Sequence, residues 1–175
     1  AASETRRLGL GVMGIADMLN QLGVAYDSEQ GTMMIEKVME YITNASYQAS
    51  SFIAKEKGAS SIFDEEAYME CPFVKEALSE QTHNMIRKNG LRNIAIMSIA
   101  PTGSISNIVL GYKSEEKNYI GVSGGVEPIF STFYTRRSES FGNKMFKVFH
   151  STIQAYIDKM GIQEDIDKAE DVDEV

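Results

Sequence analysis

The sequence predicts a helix-rich α/β fold, and three observations carry that prediction. Hydrophobic residues make up 43% and charged residues 24% of the 175 residues, a composition typical of a chain with a packed core. Apolar residues recur at helical spacing through long stretches. Residues 93–100 form a short, nearly continuous apolar run between turn residues, as in a strand buried on both faces. We expect one domain over residues 1–160, followed by a frayed acidic tail at 161–175.

Three helices are predicted before the apolar run. The first extends from about Ser3 to Leu22, and the second begins at Asp27 or Ser28 and ends at Lys57, before Gly58. A third covers Val74–Lys88. The second helix has one apolar stripe, which we expect to face the core; its members are Met34, Val38, Tyr41, Ala45, Ala49 and Phe52.

The second half of the chain has weaker signals. Residues 111–128 are rich in glycine, serine and charge, which is typical of a loop. A weak alternation at 129–135 predicts a strand. The last helix is predicted from Ser138 or Ser140 to Met160, and Gly161 would end it.

Charge and cysteine content exclude several classes of protein. The formal net charge is −8, and residues 161–175 contribute seven acidic side chains against Lys168. An acidic chain without a basic stripe argues against nucleic-acid binding. No apolar run is long enough to predict a membrane span. A single cysteine, Cys71, excludes an internal disulfide and fits a reducing, cytoplasmic compartment, and with only two histidines a metal site is not expected.

The spacing of Gly9, Gly11 and Gly14 matches the dinucleotide-binding pattern G-x-G-x-x-G. That mechanism requires a buried strand before the first glycine, whereas the preceding residues here are polar. We therefore interpret the glycines as positions in the first helix where another backbone approaches closely.

The segment PTGSIS after the apolar run is the candidate binding loop. Small residues at the carboxyl end of a buried strand leave backbone N–H groups and hydroxyls free to hold an anion. A proline-initiated turn with a serine helix cap explains the same residues without a ligand, and the residues alone leave both readings open. The six candidate positions are Pro101, Thr102, Gly103, Ser104, Ile105 and Ser106. No catalytic constellation accompanies them.

Four stretches, in order, resemble the catalytic (large) subunit of ribonucleotide reductase, with the adenosylcobalamin-dependent class most similar. They are residues 6–17 (RRLGLGVMGIAD), 92–107 (RN, then the apolar run into IAPTGSISN), 124–128 (GGVEP) and 134–137 (YTRR). The resemblance implies that Pro101–Ser106 binds the phosphates of a ribonucleoside di- or triphosphate. It also implies that the fold is the C-terminal portion of a ten-stranded α/β barrel.

The resemblance has limits. The family's radical-bearing cysteine lies in the pattern Asn-x-Cys-x-Glu, which the residues around Cys71 do not match. We therefore expect residues 1–160 to be a partial barrel domain that is inactive alone, completed by the rest of a reductase chain and by adenosylcobalamin. A barrel with open edges is also expected to self-associate. The alternative is a non-catalytic helical interaction module that uses the helix at 28–57 as its partner surface.

Overall fold

The computed structural model describes residues 2–128, 133–138, 142 and 144–162. Two compact units divide the chain: the first contains the residues up to Gly11 with Asp27–Ala100, and the second contains Val12–Tyr26 with the residues from Pro101 onward. The helices are α1 (Ala2–Thr5), α2 (Ile15–Gln21), α3 (Glu29–Lys57), α4 (Glu65–Met69), α5 (Pro72–Ala77), α6 (Glu80–Asn89) and α7 (Ser151–Met160). The strands are β1 (Leu110–Lys113), β2 (Asn118–Ile120), β3 (Phe133–Ser138) and β4 (Lys144–Phe149). The predicted helix-rich α/β class is confirmed.

Helix α3 dominates the first unit and has the predicted bounds. Ser28 is its N-cap, and the Ser28 hydroxyl accepts a hydrogen bond from the Gly31 N–H over 3.0 Å. Gly58 follows the last turn with φ 81°, a left-handed conformation that glycine adopts without a Cβ clash.

The face of α3 that packs inward is not the predicted one. Met34 and Val38 are half-buried, but from Tyr41 onward the apolar stripe lies on the outside: Tyr41 is 77% exposed and Phe52 is 53% exposed. The buried face consists of Gly31, Thr43, Asn44, Tyr47, Ser50, Ser51 and Ala54. Helical periodicity correctly indicated that α3 has two different faces. The mainly polar face is the buried one, because its side chains form hydrogen bonds with backbone groups of neighbouring segments.

Asn44 shows why polar residues are favoured there. Its Oδ1 accepts hydrogen bonds from the Ser79 N–H over 2.8 Å and from the Thr82 hydroxyl over 2.7 Å. Ser79 in turn caps α6, since its hydroxyl accepts from the Thr82 N–H. This cap interrupts the predicted helix Val74–Lys88, which is two helices, α5 and α6, separated by an extended Leu78.

The predicted first helix is wrong between α1 and α2. Arg6 has a left-handed backbone with φ 44°, and residues 7–10 then run parallel to residues 94–98. The Leu8 N–H donates to Ala95 O, and the Ser98 N–H donates to Leu10 O, both over 2.8 Å. A Cβ on Gly11 would lie 2.2 Å from Ser98 O. The close backbone approach inferred from the glycines is therefore present, but it occurs in an extended segment.

The apolar run at 93–100 is extended, although only Met97 forms a ladder bridge, to Leu10. Ile96 is 3% exposed and packs in the core, while Ile99 is 61% exposed. The prediction of burial on both faces is thus wrong at the carboxyl end of the run.

The second unit contains two antiparallel strand pairs. Strands β1 and β2 form a hairpin within the predicted loop 111–128. Strands β3 and β4 pair from Phe133 opposite Phe149 to Ser138 opposite Lys144. Consequently the predicted helix at 138–160 is wrong over β4, and among the described residues of that range only α7 is helical. Residues 129–132 of the predicted strand and residues 163–175 of the predicted tail lie outside the described residues. Among the helices described, none is both long and apolar enough to cross a membrane.

Candidate functional site

The candidate loop, Pro101–Ser106, is a turn that leads into a short 3-10 helix, Ile105–Asn107. Pro101, Gly103, Ser104 and Ile105 are exposed, whereas Ser106 is buried at 4% exposure, so its hydroxyl is not open to a ligand. Thr102 adopts a left-handed conformation with φ 52°, which is unusual for a β-branched residue. The Ser106 N–H donates to Thr102 O over 3.0 Å and closes the turn. The loop therefore has a defined conformation that its own residues would not adopt by default.

Consecutive backbone donors are open in this loop. Within the described part of the chain, the N–H groups of Gly103, Ser104 and Ile105 make no recorded hydrogen bond. Gly103 and Ser104 are exposed, and a Cβ on Gly103 would meet nothing within 4 Å. Adjacent N–H groups that have no protein acceptor in an exposed turn match the donor pattern that an anionic oxygen requires.

The segment 122–125 holds both ends of the loop. The Val122 N–H donates to Ser106 O over 2.9 Å, and the Gly125 N–H donates to Thr102 Oγ1 over 2.7 Å. A Cβ on Gly124 would lie 2.6 Å from Pro101 O, so only glycine permits this approach.

A buried carboxylate lies behind this segment. Asp17 is 3% exposed, and its Oδ2 accepts a hydrogen bond from the Ser123 N–H over 2.6 Å. Its Oδ1 lies 3.0 Å from His150 Nε2, although the ring N–H is not aligned for a hydrogen bond. Burial lowers the pKa of His150, against the opposing effect of the Asp17 charge.

Sequence reasoning predicted Pro101–Ser106 as the binding loop but gave no indication of the residues that support its conformation. Thr102 was expected to offer its hydroxyl to a ligand, whereas that oxygen accepts the Gly125 N–H. Gly124 and Gly125 were visible as an adjacent glycine pair. Asp17 lay in a segment predicted to be helical, and no sequence signal connected it to residue 123.

Among the described residues, the two histidines and the cysteine are the side chains that could act as ligands to the cobalt of a cobalamin. His83 Nε2 lies 2.7 Å from Val74 O and its Nδ1 lies 3.6 Å from Glu80, so that ring already has partners. The His150 side chain is 13% exposed and lies beside Asp17. Cys71, the one cysteine, is exposed and lies before α5. Neither histidine is thus available as a ligand to cobalt.

Comparisons with known proteins agree on one family. The family model "Ribonucleotide reductase, barrel domain" matches residues 1–174. The vitamin B12-dependent ribonucleoside-diphosphate reductase of Mycobacterium tuberculosis is 34% identical over 136 residues, covering 78% of this chain and 16% of that protein. The enzyme of the same name from Thermoplasma acidophilum is 36% identical over 132 residues, covering 75% of this chain and 14% of that protein.

A solved structure shows the same fold. The class Id ribonucleotide reductase alpha subunit of Actinobacillus ureae superposes with a TM-score of 0.57 at 22% identity, covering 95% of this chain and 24% of that chain. The chain thus spans about one seventh of the length of the curated relatives it matches, and the expected partial barrel is confirmed. On the family match over almost its whole length, this chain belongs to the ribonucleotide reductase barrel-domain family.

Proposed function

We propose that this chain is the phosphate-binding part of an enzyme that reduces ribonucleoside diphosphates to deoxyribonucleoside diphosphates by radical chemistry. The names of the relatives, which are ribonucleoside-diphosphate reductases, favour the diphosphate over the triphosphate. The observation that carries the proposal is the row of open N–H groups at Gly103, Ser104 and Ile105. Substrate would bind to Pro101–Ser106.

These residues would bind and orient the substrate without entering the redox chemistry. Backbone N–H groups donate to the phosphate oxygens, and the exposed Ser104 hydroxyl adds one donor. Gly103 lets the phosphate approach the backbone closely because it has no Cβ. The Thr102 hydroxyl stabilises the loop through Gly125 instead of binding substrate.

The cofactor would be bound by other parts of the complete enzyme. Adenosylcobalamin, which the relatives' names support, supplies the radical when bound. The residues described here hold none of its ligands, and the single cysteine cannot form a reducing pair within the chain. We therefore expect residues 1–175 alone to be inactive, and we expect the complete enzyme to work in the reducing environment of the cytoplasm.

The exposed apolar stripe of α3 is a candidate surface for binding a partner. Tyr41 and Phe52 are large and mostly exposed, and exposed apolar patches mark interaction sites. We propose that the rest of the reductase chain covers this stripe. The separate 175-residue chain would then self-associate, which light scattering over a concentration series would detect.

Two substitutions in the complete reductase test the phosphate site. Ser104→Ala removes one donor and should weaken ribonucleoside diphosphate binding by about tenfold, since a hydrogen bond to a charged group contributes about 1.5–3 kcal/mol. Gly103→Val should weaken binding more, because its branched side chain occupies the space that the phosphate needs. The φ of Gly103 is not left-handed, so crowding, and not backbone strain, is the expected cause.

The control is Ser61→Ala, which changes an exposed serine of the first unit. Substrate dissociation constants and adenosylcobalamin affinity are measured for all three variants beside the parent. Cofactor affinity should stay constant throughout. Unchanged substrate affinity in Gly103→Val would remove the loop from the site and favour the interaction module.

A further inference from the structure

Asp17 is a buried carboxylate to which the proposed function gives no role. It belongs to α2 in the second unit, and its Oδ2 accepts the Ser123 N–H over 2.6 Å. A carboxylate that is 3% exposed is costly to bury unless donors face it. The short contact therefore ties the backbone at Ser123 firmly to α2.

Ser123 lies between the two residues that hold the candidate loop. Val122 on one side donates to Ser106 O, and Gly125 on the other donates to Thr102 Oγ1. A shift of the backbone at Ser123 would thus be transmitted to both ends of Pro101–Ser106.

A second backbone contact fixes the same point. The Gly14 N–H donates to Ser123 O over 2.9 Å, immediately before α2 begins. Ser123 is therefore held through both its N–H and its carbonyl by one short stretch, residues 14–17. This arrangement explains why Asp17, a buried position of α2, is polar. An apolar side chain there could fill the space but could not accept a hydrogen bond from the Ser123 N–H.

His150 faces the other carboxylate oxygen, Oδ1, at 3.0 Å. Because burial favours its neutral form, the imidazole adds little compensating charge. Among the described residues, the Ser123 N–H is then the one recorded hydrogen-bond donor to Asp17. The segment 122–125 is consequently held by the Asp17 carboxylate, and the carboxylate is stabilised by the Ser123 N–H of that segment.

We infer that Asp17 is a positioning residue for the phosphate loop, acting through Ser123 and the segment 122–125. This inference rests on the proposed function of Pro101–Ser106. Asp17 itself does not touch the substrate. It sets the spacing between the open N–H groups by fixing the segment to which the loop is bonded.

The test uses Asp17→Leu and Asp17→Asn in the complete reductase. Leucine fills the space but cannot accept the Ser123 N–H, so the dissociation constant for a ribonucleoside diphosphate should rise by about tenfold. Asparagine retains an acceptor oxygen, so its dissociation constant should stay within about twofold of the parent value. Adenosylcobalamin affinity should be unchanged in both. Rescue by asparagine separates a hydrogen-bonding role from a packing role.

Ile157→Val is the matched control, because Ile157 is buried in the same unit at 1% exposure and has no recorded bond to the loop. It should lower thermal stability without changing substrate affinity. If Asp17→Leu does not fold, Asp17→Ala removes the same oxygens without adding atoms and should raise the dissociation constant equally. The inference is overturned by unchanged substrate binding in the folded Leu or Ala variant, by equal losses in Leu and Asn, or by an equal loss in Ile157→Val.

Gly103→Val, measured in the same series, separates this inference from the proposed function. Weaker binding in Gly103→Val with parental binding in Asp17→Leu rejects the positioning role alone. Parental binding in both variants rejects the phosphate site itself.

Discussion

The Gly125 N–H donates a hydrogen bond to Thr102 Oγ1 over 2.7 Å, and Thr102 has a φ of 52°. The Thr102 side chain thus stabilises the unfavourable backbone conformation of its own residue. For a residue with a Cβ, the left-handed region costs roughly 1–2 kcal/mol. The bond to Gly125 offsets this cost and holds the loop with its donors open.

Thr102→Val should loosen the loop, because valine keeps the branched shape but cannot accept the Gly125 N–H. An unsatisfied, partly buried N–H costs about 1–3 kcal/mol. We expect weaker nucleotide binding and a lower unfolding free energy. Thr102→Ser retains the hydroxyl and should resemble the parent. Equal behaviour of the two variants in calorimetry and denaturant unfolding would contradict this role.

Gly11 and Gly9 provide a test of the close backbone approach in the first unit. A Cβ on Gly11 would lie 2.2 Å from Ser98 O, whereas a Cβ on Gly9 would lie 3.6 Å from Ser98 Cβ, an ordinary contact. Gly11→Ala should therefore destabilise the chain by about 1–3 kcal/mol through overpacking against backbone. Gly9→Ala should be close to neutral. Urea unfolding of both variants checks this, and equal unfolding free energies for Gly11→Ala and Gly9→Ala would contradict a close approach specific to Gly11.

The sequence predicted α3, the loop and the fold class, but it misassigned segments whose structure depends on distant partners. Ser28 and Gly58 are local signals, so the ends of α3 were readable. The extension of residues 7–10 depends on pairing with residues 94–98, nearly ninety positions away. No local periodicity reports such a partner, and the polar residues before Gly9 resembled a helix start.

The same reasoning explains the inverted face of α3. The stripe through Tyr41 has helical spacing, as does the polar stripe through Asn44. Asn44 is buried because its Oδ1 accepts hydrogen bonds from Ser79 and Thr82, and the sequence does not show that these residues lie beside it. For the candidate site, the small residues of Pro101–Ser106 were a local signal for a turn, whereas the role of Asp17 depends on which backbone lies beside α2.

Asn44→Leu should cost more than a surface change on the same helix. It removes the acceptor for the Ser79 N–H and the Thr82 hydroxyl, and each unsatisfied buried group costs about 1–3 kcal/mol. We expect a total loss of roughly 2–5 kcal/mol in unfolding free energy. Ala45→Leu, at the exposed neighbouring position, should be nearly neutral. A destabilisation by Ala45→Leu that equals the loss in Asn44→Leu would restore the predicted inward stripe.

His150 should make stability depend on pH in the mildly acidic range. Burial lowers the pKa of His150 in the folded state below its ordinary value of 6.5, so the folded chain binds this proton less readily than the unfolded chain. The stabilising contribution of the neutral ring is therefore complete above pH 6.5 and declines as the pH falls through the folded-state value. His150→Gln removes this titration while keeping a polar side chain beside Asp17. Thermal midpoints measured between pH 7.5 and 5 should fall more steeply for the parent than for His150→Gln. Parallel slopes would show that His150 takes up its proton equally well in both states, and that the acid sensitivity of the chain arises from its carboxylates.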